Sequence, residues 1–123
     1  MSIKKEIIKV EGTEIPGAPL SPAVKIGNFV FTSGQTGDDA RDDIKTQTRK
    51  ALERVKALLE AAGTSMENVV KCTVYLTNVD EWGLMNEVYR EYFPDKPPAR
   101  SAIQIAGLVG GLRVEIEAVA YVP

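Results

Sequence analysis

The sequence predicts an α+β fold with the element order β-β-β-α-β-α-β-β, a mixed sheet carrying two helices on one face. Three observations lead there. Three strand-like stretches precede the first helix-like one, so strands and helices do not alternate strictly as a doubly wound fold requires. Only two stretches show the three-and-four spacing of an amphipathic helix. Two helices cover one face of so wide a sheet, yet the other face would carry Val69, Tyr75, Val119 and Tyr121. That face is too apolar to leave in water, and self-association through it is the economical solution.

The elements follow in order. Ile3 to Val10 alternates loosely and holds three lysines, which suits an edge strand. Gly12 to Pro22, with Pro16, Gly17, Pro19 and Pro22, reads as a constrained loop. Ala23 to Ile26, the turn Gly27-Asn28, and Phe29 to Ser33 form a hairpin pattern. Asp42 or Asp43 caps the first helix and Gly63 ends it. Between them Ile44, Thr48, Ala51, Leu52, Val55, Leu58, Leu59 and Ala62 make the apolar stripe. Arg49 with Glu53 and Lys56 with Glu60 fall at i,i+4 on its wet side. Val69 to Thr77 is a strong strand, with Val70, Cys72, Val74 and Leu76 on its apolar face. Asp80 is placed to cap a second helix with a stripe of Trp82, Met85, Tyr89 and Tyr92, and Pro94 stops it. Asn86 sits inside that helix, where a polar residue gains nothing intrinsically and is read as reaching a neighbouring backbone.

At 123 residues the chain is one domain spanning 1–123. Its 44% hydrophobic and 26% charged residues are those of an ordinary soluble globular protein. A net charge of −2 without a basic stripe is a poor start for binding nucleic acid. No apolar run reaches membrane-spanning or signal-peptide length, so a cytoplasmic location without a membrane partner is expected. There is no histidine, which excludes Ser-His-Asp and Cys-His catalysis and the common zinc sites, and no metal is expected. The single cysteine, Cys72, forbids an internal disulfide and reads as a buried structural residue rather than a nucleophile. Chemistry here must use carboxylates, arginine, hydroxyls or backbone groups.

The stretch from Pro97 to Val122 holds the candidates. Pro97 and Pro98 force an extended start, and Arg100, Ala102, Gln104 and Ala106 then alternate with Ser101, Ile103 and Ile105. After the glycine-rich loop Gly107 to Leu112, alternation puts Val114, Ile116, Ala118, Ala120 and Val122 on one face. Arg113, Glu115, Glu117, Val119 and Tyr121 take the other. An arginine grips a carboxylate with two parallel hydrogen bonds, and a neighbouring carboxylate orients or deprotonates water. The pattern fits a small polar site and equally fits solvent-facing charges, and spacing does not choose between Glu115 and Glu117. Thr32, Ser33, Gly34 and Gln35 end a strand in small polar residues, which suits a ligand close to backbone as well as a plain turn.

Several of these pieces together resemble the RidA (YjgF) family of reactive intermediate deaminases, also labelled L-PSP endoribonucleases or translation inhibitors. They are Ala23 to Lys25 with Gly27 and Asn28, Val30 to Gln35, Asn68 to Lys71, Met85 to Tyr89, Pro98 to Ser101, and Val114 to Ala118. They run in order along nearly the whole chain. The resemblance implies a chorismate-mutase-like subunit assembled as a homotrimer with a barrel-like core and clefts between subunits. It implies hydrolysis of 2-imino or enamine acids, such as 2-iminobutyrate and 2-iminopropanoate, to 2-keto acids and ammonia, without a cofactor. By the same resemblance Arg100 clamps the substrate carboxylate, Glu115 positions the attacking water, Ser33 and Gly34 lie in the pocket, and Asn86 supports it. The chain departs from the family pattern in three places. Leu20 stands where many members have a tyrosine, and Ala102 where a cysteine is frequent, leaving only its backbone carbonyl for the imine nitrogen. Gly107 to Leu112 replaces a basic, proline-containing loop.

An imine carbon is already electrophilic, so positioned water and well-placed charge suffice for its hydrolysis. A second reading, favoured by Leu20, is a trimeric small-carboxylate-binding or regulatory protein that keeps Arg100 as a clamp without turnover. A ribonuclease is the third.

Overall fold

The computed structural model describes residues 3–123. Six strands form one sheet: β1 (Glu6–Ile8), β2 (Ala23–Ile26), β3 (Phe29–Thr32), β4 (Val69–Leu76), β5 (Ala99–Gln104) and β6 (Val114–Tyr121). They lie in the order β1-β2-β3-β6-β4-β5. All neighbours are antiparallel except β4 and β5, which run parallel. Two helices, α1 (Ile44–Ala61) and α2 (Trp82–Tyr92), cover one face. The predicted element order and mixed sheet are those observed. The first strand is an edge, as its lysines suggest, but shorter than Ile3 to Val10, with only Glu6, Ile7 and Ile8 paired to β2.

The core lies between that face and the helices. Alternation along β6 buries Val114, Ile116, Ala118 and Ala120 against the α1 stripe of Ala51, Leu52, Val55, Leu58 and Leu59. Burying each large aliphatic side chain contributes about 1.5–3 kcal/mol. Asp43 caps α1, its Oδ1 accepting from Thr46 N–H at 2.8 Å. On the wet side Arg49 pairs across to Glu91 of α2 at 3.1 Å rather than with Glu53.

Two local readings are corrected. A bulge shifts the β4–β6 register between Val69 and Lys71. The extra residue reverses the facing of the strand's first turn, so Val69 is buried and Val70 is exposed, the opposite of strict alternation. In the second helix the cap is not Asp80. A 3-10 turn, Val79–Glu81, precedes α2, and Asn78 Oδ1 accepts from Asp80 N–H at 2.9 Å. The buried face of α2 is Met85, Asn86, Val88 and Tyr89, while Trp82 stays exposed at its start.

The helix-free face is apolar over much of its breadth. Ile26, Phe29, Phe31, Val70, Ile103 and Tyr121 are each 40–50% exposed. Among the described residues no helix is long and apolar enough to cross a membrane.

Candidate active site

The carboxylate half of the site begins with β6, whose alternation puts Glu115 and Glu117 on the helix-free face. Beyond β3 the chain turns back over β6. Gln35 N–H donates to Ile116 O, and Ile116 N–H to Gln35 O, both at 2.9 Å. This bridge lays Gly34 directly on Glu115: a Cβ at Gly34 would stand 2.4 Å from Glu115 Oε2. Only glycine allows that approach. Ser33 is fixed to the preceding loop, its N–H donating to Pro22 O at 2.8 Å and its Oγ to Ser21 O at 2.6 Å. The hydroxyl's lone pairs remain free to accept.

Glu115, Ser33 and Gly34 line a cavity of about 800 Å³, walled on its other sides by Thr36, by Arg54 of α1 and by residues of the 12–20 and 109–112 loops. Burial, with Glu117 nearby, raises the Glu115 pKa above the ordinary carboxylate value. Glu117 has a different setting. It lies outside that cavity and its Oε1 accepts from Tyr75 OH at 2.9 Å. Among the described residues none hydrogen-bonds the Glu115 carboxylate. Spacing leaves these two glutamates equivalent; surroundings separate them.

The guanidinium half belongs to β5. Arg100 sits opposite Cys72 in the parallel β4–β5 register, so it points to the helix-covered face. There Nη1 donates to Asn86 Oδ1 at 2.7 Å. The guanidinium lies 4.6 Å from the Tyr89 ring centroid and 5.8 Å from that of Trp82. Such cation–π contacts hold a charge at about 0.5–2 kcal/mol each. A hollow of about 280 Å³ opens beside it, bounded by Trp82, Tyr89, Pro97 and Pro98. Asn86 therefore supports Arg100 and does not reach a neighbouring backbone with its side chain. Beneath, the buried Tyr89 hydroxyl has no oxygen or nitrogen partner and lies against the Cys72 thiol. Burial pushes that thiol up to about 11, so Cys72 is inert at neutral pH.

The two halves do not meet within one chain. β4 lies between β5 and β6, and Arg100 and Glu115 project from opposite faces of the sheet. The small polar site read from the run Pro97 to Val122 treats the glycine loop as joining neighbouring strands, whereas β5 parallels β4 and the loop crosses back beyond it. Among the described residues no three His, Cys, Asp or Glu side chains are grouped as a metal would need.

The sequence model of the family described as endoribonuclease L-PSP (Ribonuc_L-PSP) matches residues 12–122. The chain belongs to this family, also called YjgF or RidA. A RutC family protein of Pyrococcus horikoshii is 47% identical over 95% of this chain and 98% of its own length. The 2-iminobutanoate/2-iminopropanoate deaminase of Mus musculus is 39% identical over 97% of this chain and 93% of its own. Among solved structures, Escherichia coli TdcF with bound serine superposes with a TM-score of 0.89 at 34% identity, over 96% and 99% of the two chains. The RidA family thus includes relatives named as deaminases of reactive imino acids, which supports an enzymatic role at the level of the family.

The remaining positions of the RidA resemblance divide between the halves. Leu20 lines the Glu115 cavity and is 48% exposed. Ala102 lies on β5, the second edge of the sheet. With Ile105 N–H bonded to Leu76 O at 2.8 Å, alternation turns the Ala102 carbonyl to the open edge. Sequence reasoning missed the aromatic platform under Arg100. Trp82 and Tyr89 flank Asn86 at i−4 and i+3, the spacing that puts all three on one helix face, but they read as core. It also missed Ile15 and Val109, which line the larger cavity.

Proposed function

We propose that this protein is a deaminase of 2-imino and enamine acids, working without a cofactor, whose site forms between subunits of a homotrimer. The observation that carries the reading is the setting of Arg100. Asn86 and the Tyr89 ring fix one edge and one face of a guanidinium whose hollow opens outward. That is a pre-set fork for a small carboxylate. Glu115, raised in pKa and turned into a cavity, suits the other requirement, a base for water.

The hydrolysis balances with these groups. A water oxygen attacks the imine carbon, and the C=N π electrons move to nitrogen. Glu115 takes the proton that water loses and returns a proton to nitrogen. In the collapse that follows, Glu115 takes the hydroxyl proton and passes it to the amine nitrogen, so that the C=O bond forms as the C–N bond breaks and ammonia leaves. A base whose proton affinity is raised accepts that proton more readily than an ordinary carboxylate. With net charge −2 and no histidine, the chain is poorly suited to RNA cleavage, the activity in the family's description.

Arg100→Ala should fold and assemble yet lose about 30- to 1000-fold in kcat/KM on 2-iminobutyrate, as expected for about 2–4 kcal/mol from a bidentate charged pair. Glu115→Gln should also be nearly inactive. Co-expressed, the two inactive chains should recover about a quarter of wild-type activity, because random mixing leaves that share of intersubunit sites intact. No recovery in verified mixed assemblies would mean that each subunit carries its own site. A wild type that binds 2-keto acids through Arg100 without any turnover would make this a carboxylate-binding protein, the reading that Leu20 favours.

A further inference from the structure

Loop residues that face water are usually polar, because the chain gains nothing by exposing large apolar groups there. Two loops of this protein break the rule at one place. Ile15 and Leu20, on the loop before β2, are 60% and 48% exposed, and Val109, on the glycine loop before β6, is 94% exposed. None belongs to the hydrophobic core. All three line the cavity that holds Glu115, with Ala18 and Leu112 between them. Gly110 and Gly111, at φ 75° and 73°, make the tight turn that brings Val109 and Leu112 to its rim.

The cavity is therefore mixed: Glu14 and Arg54 join Ser33 and Glu115 among its polar groups, and Ile15, Leu20 and Val109 supply large exposed apolar surface. Resting on the deaminase reading, the reacting carbon must lie within reach of a water held by Glu115. The substrate's own side chain then lies in the same cavity, within reach of Ile15, Leu20 and Val109.

We infer that Ile15, Leu20 and Val109 are specificity-determining residues, and that they select imino acids with long or branched aliphatic side chains over two- and three-carbon ones. Each methylene that such a wall covers changes kcat/KM by about 10-fold or more. Four-carbon branched side chains should thus be favoured strongly over a methyl group.

The test compares imino acids generated in situ by oxidation of L-leucine, L-alanine and L-serine, following keto-acid and ammonia release above the uncatalysed rate. Wild-type kcat/KM should be at least about 10-fold higher for the leucine-derived imine than for the alanine-derived one. The double variant Ile15→Ser/Leu20→Ser should bring that ratio close to one. Val79→Ser, an exposed apolar residue away from the cavity, should leave the ratio as it is. Equal or better turnover of the alanine-derived imine by the wild type overturns the inference and leaves the deaminase reading standing. No turnover of any of the three overturns the deaminase reading itself. A preference that survives the double variant, or a double variant that falls apart into monomers, assigns the apolar wall to a subunit contact instead.

Discussion

At the scale of single residues, the contact between Gly34 and Glu115 sets the sharpest demand. A methyl group at position 34 would overlap the carboxylate, and the backbone there cannot retreat because Gln35 is doubly bonded to Ile116. Gly34→Ala should keep the fold and displace Glu115, costing about 100-fold in kcat, the penalty for moving a catalytic group by about an ångström. Unchanged kcat would mean the carboxylate has another working position. Glu115 also carries a stability cost. Its folded-state pKa is raised, so the folded protein holds the proton more tightly than the unfolded chain does. The stabilising contribution is complete below the unfolded value of about 4.3 and is lost as pH rises through the folded one. Glu115→Gln should therefore melt at a higher temperature than wild type at pH 7, with the gap closing near about pH 3.5. Thermal melts at the two pH values check this, and a variant that melts lower at pH 7 would contradict it.

At the scale of elements, what the sequence makes legible is what depends on near neighbours in the chain. The α1 stripe, its Asp43 cap, the β2–β3 hairpin and the alternation of β6 each follow from periodicity or a turn, and each is observed. The features that escape reading depend on a partner element. The bulge at Val69 and Val70 exists because β4 must match β6, and no residue in the strand announces it. The shift from Asp80 to Asn78 follows from a 3-10 turn whose Val79 N–H is bonded by Gln104 Oε1 of β5 at 2.8 Å, a contact 25 residues away. The candidate site shows the same division. Arg100 and Glu115 stand out by residue type, but their separation on opposite faces follows from the parallel placement of β5, which alternation cannot reveal. Gln47 is another such case. It is fully buried, accepts from Arg113 N–H at 2.9 Å and donates to Asp42 O at 2.9 Å. It ties the end of the glycine loop to α1, yet in sequence it is one polar residue in a helix.

At the scale of the whole molecule, the helix-free face is the surface on which the proposed assembly rests. Its exposed phenylalanines, Ile103 and Tyr121 are apolar groups that self-association would take out of water. Closed three-fold assembly through that face is the proposal, and sedimentation equilibrium at micromolar concentration should report three times the chain mass of 13.4 kDa. A stable species at the single-chain mass would refute it. The placement of the two loops has a consequence of its own. Arg100 stands on the edge strand β5 and leans on α2, whose Met85, Val88 and Tyr89 are part of the core, whereas Ile15, Leu20 and Val109 lie outside it. Exchanging any of the three removes no buried contact, and exposed positions of this kind change stability by about 0.5 kcal/mol or less. With Arg100 and the three loop residues acting as proposed, descendants of this chain can drift from one diet to another through those positions alone, with the grip that all their foodstuffs share left intact.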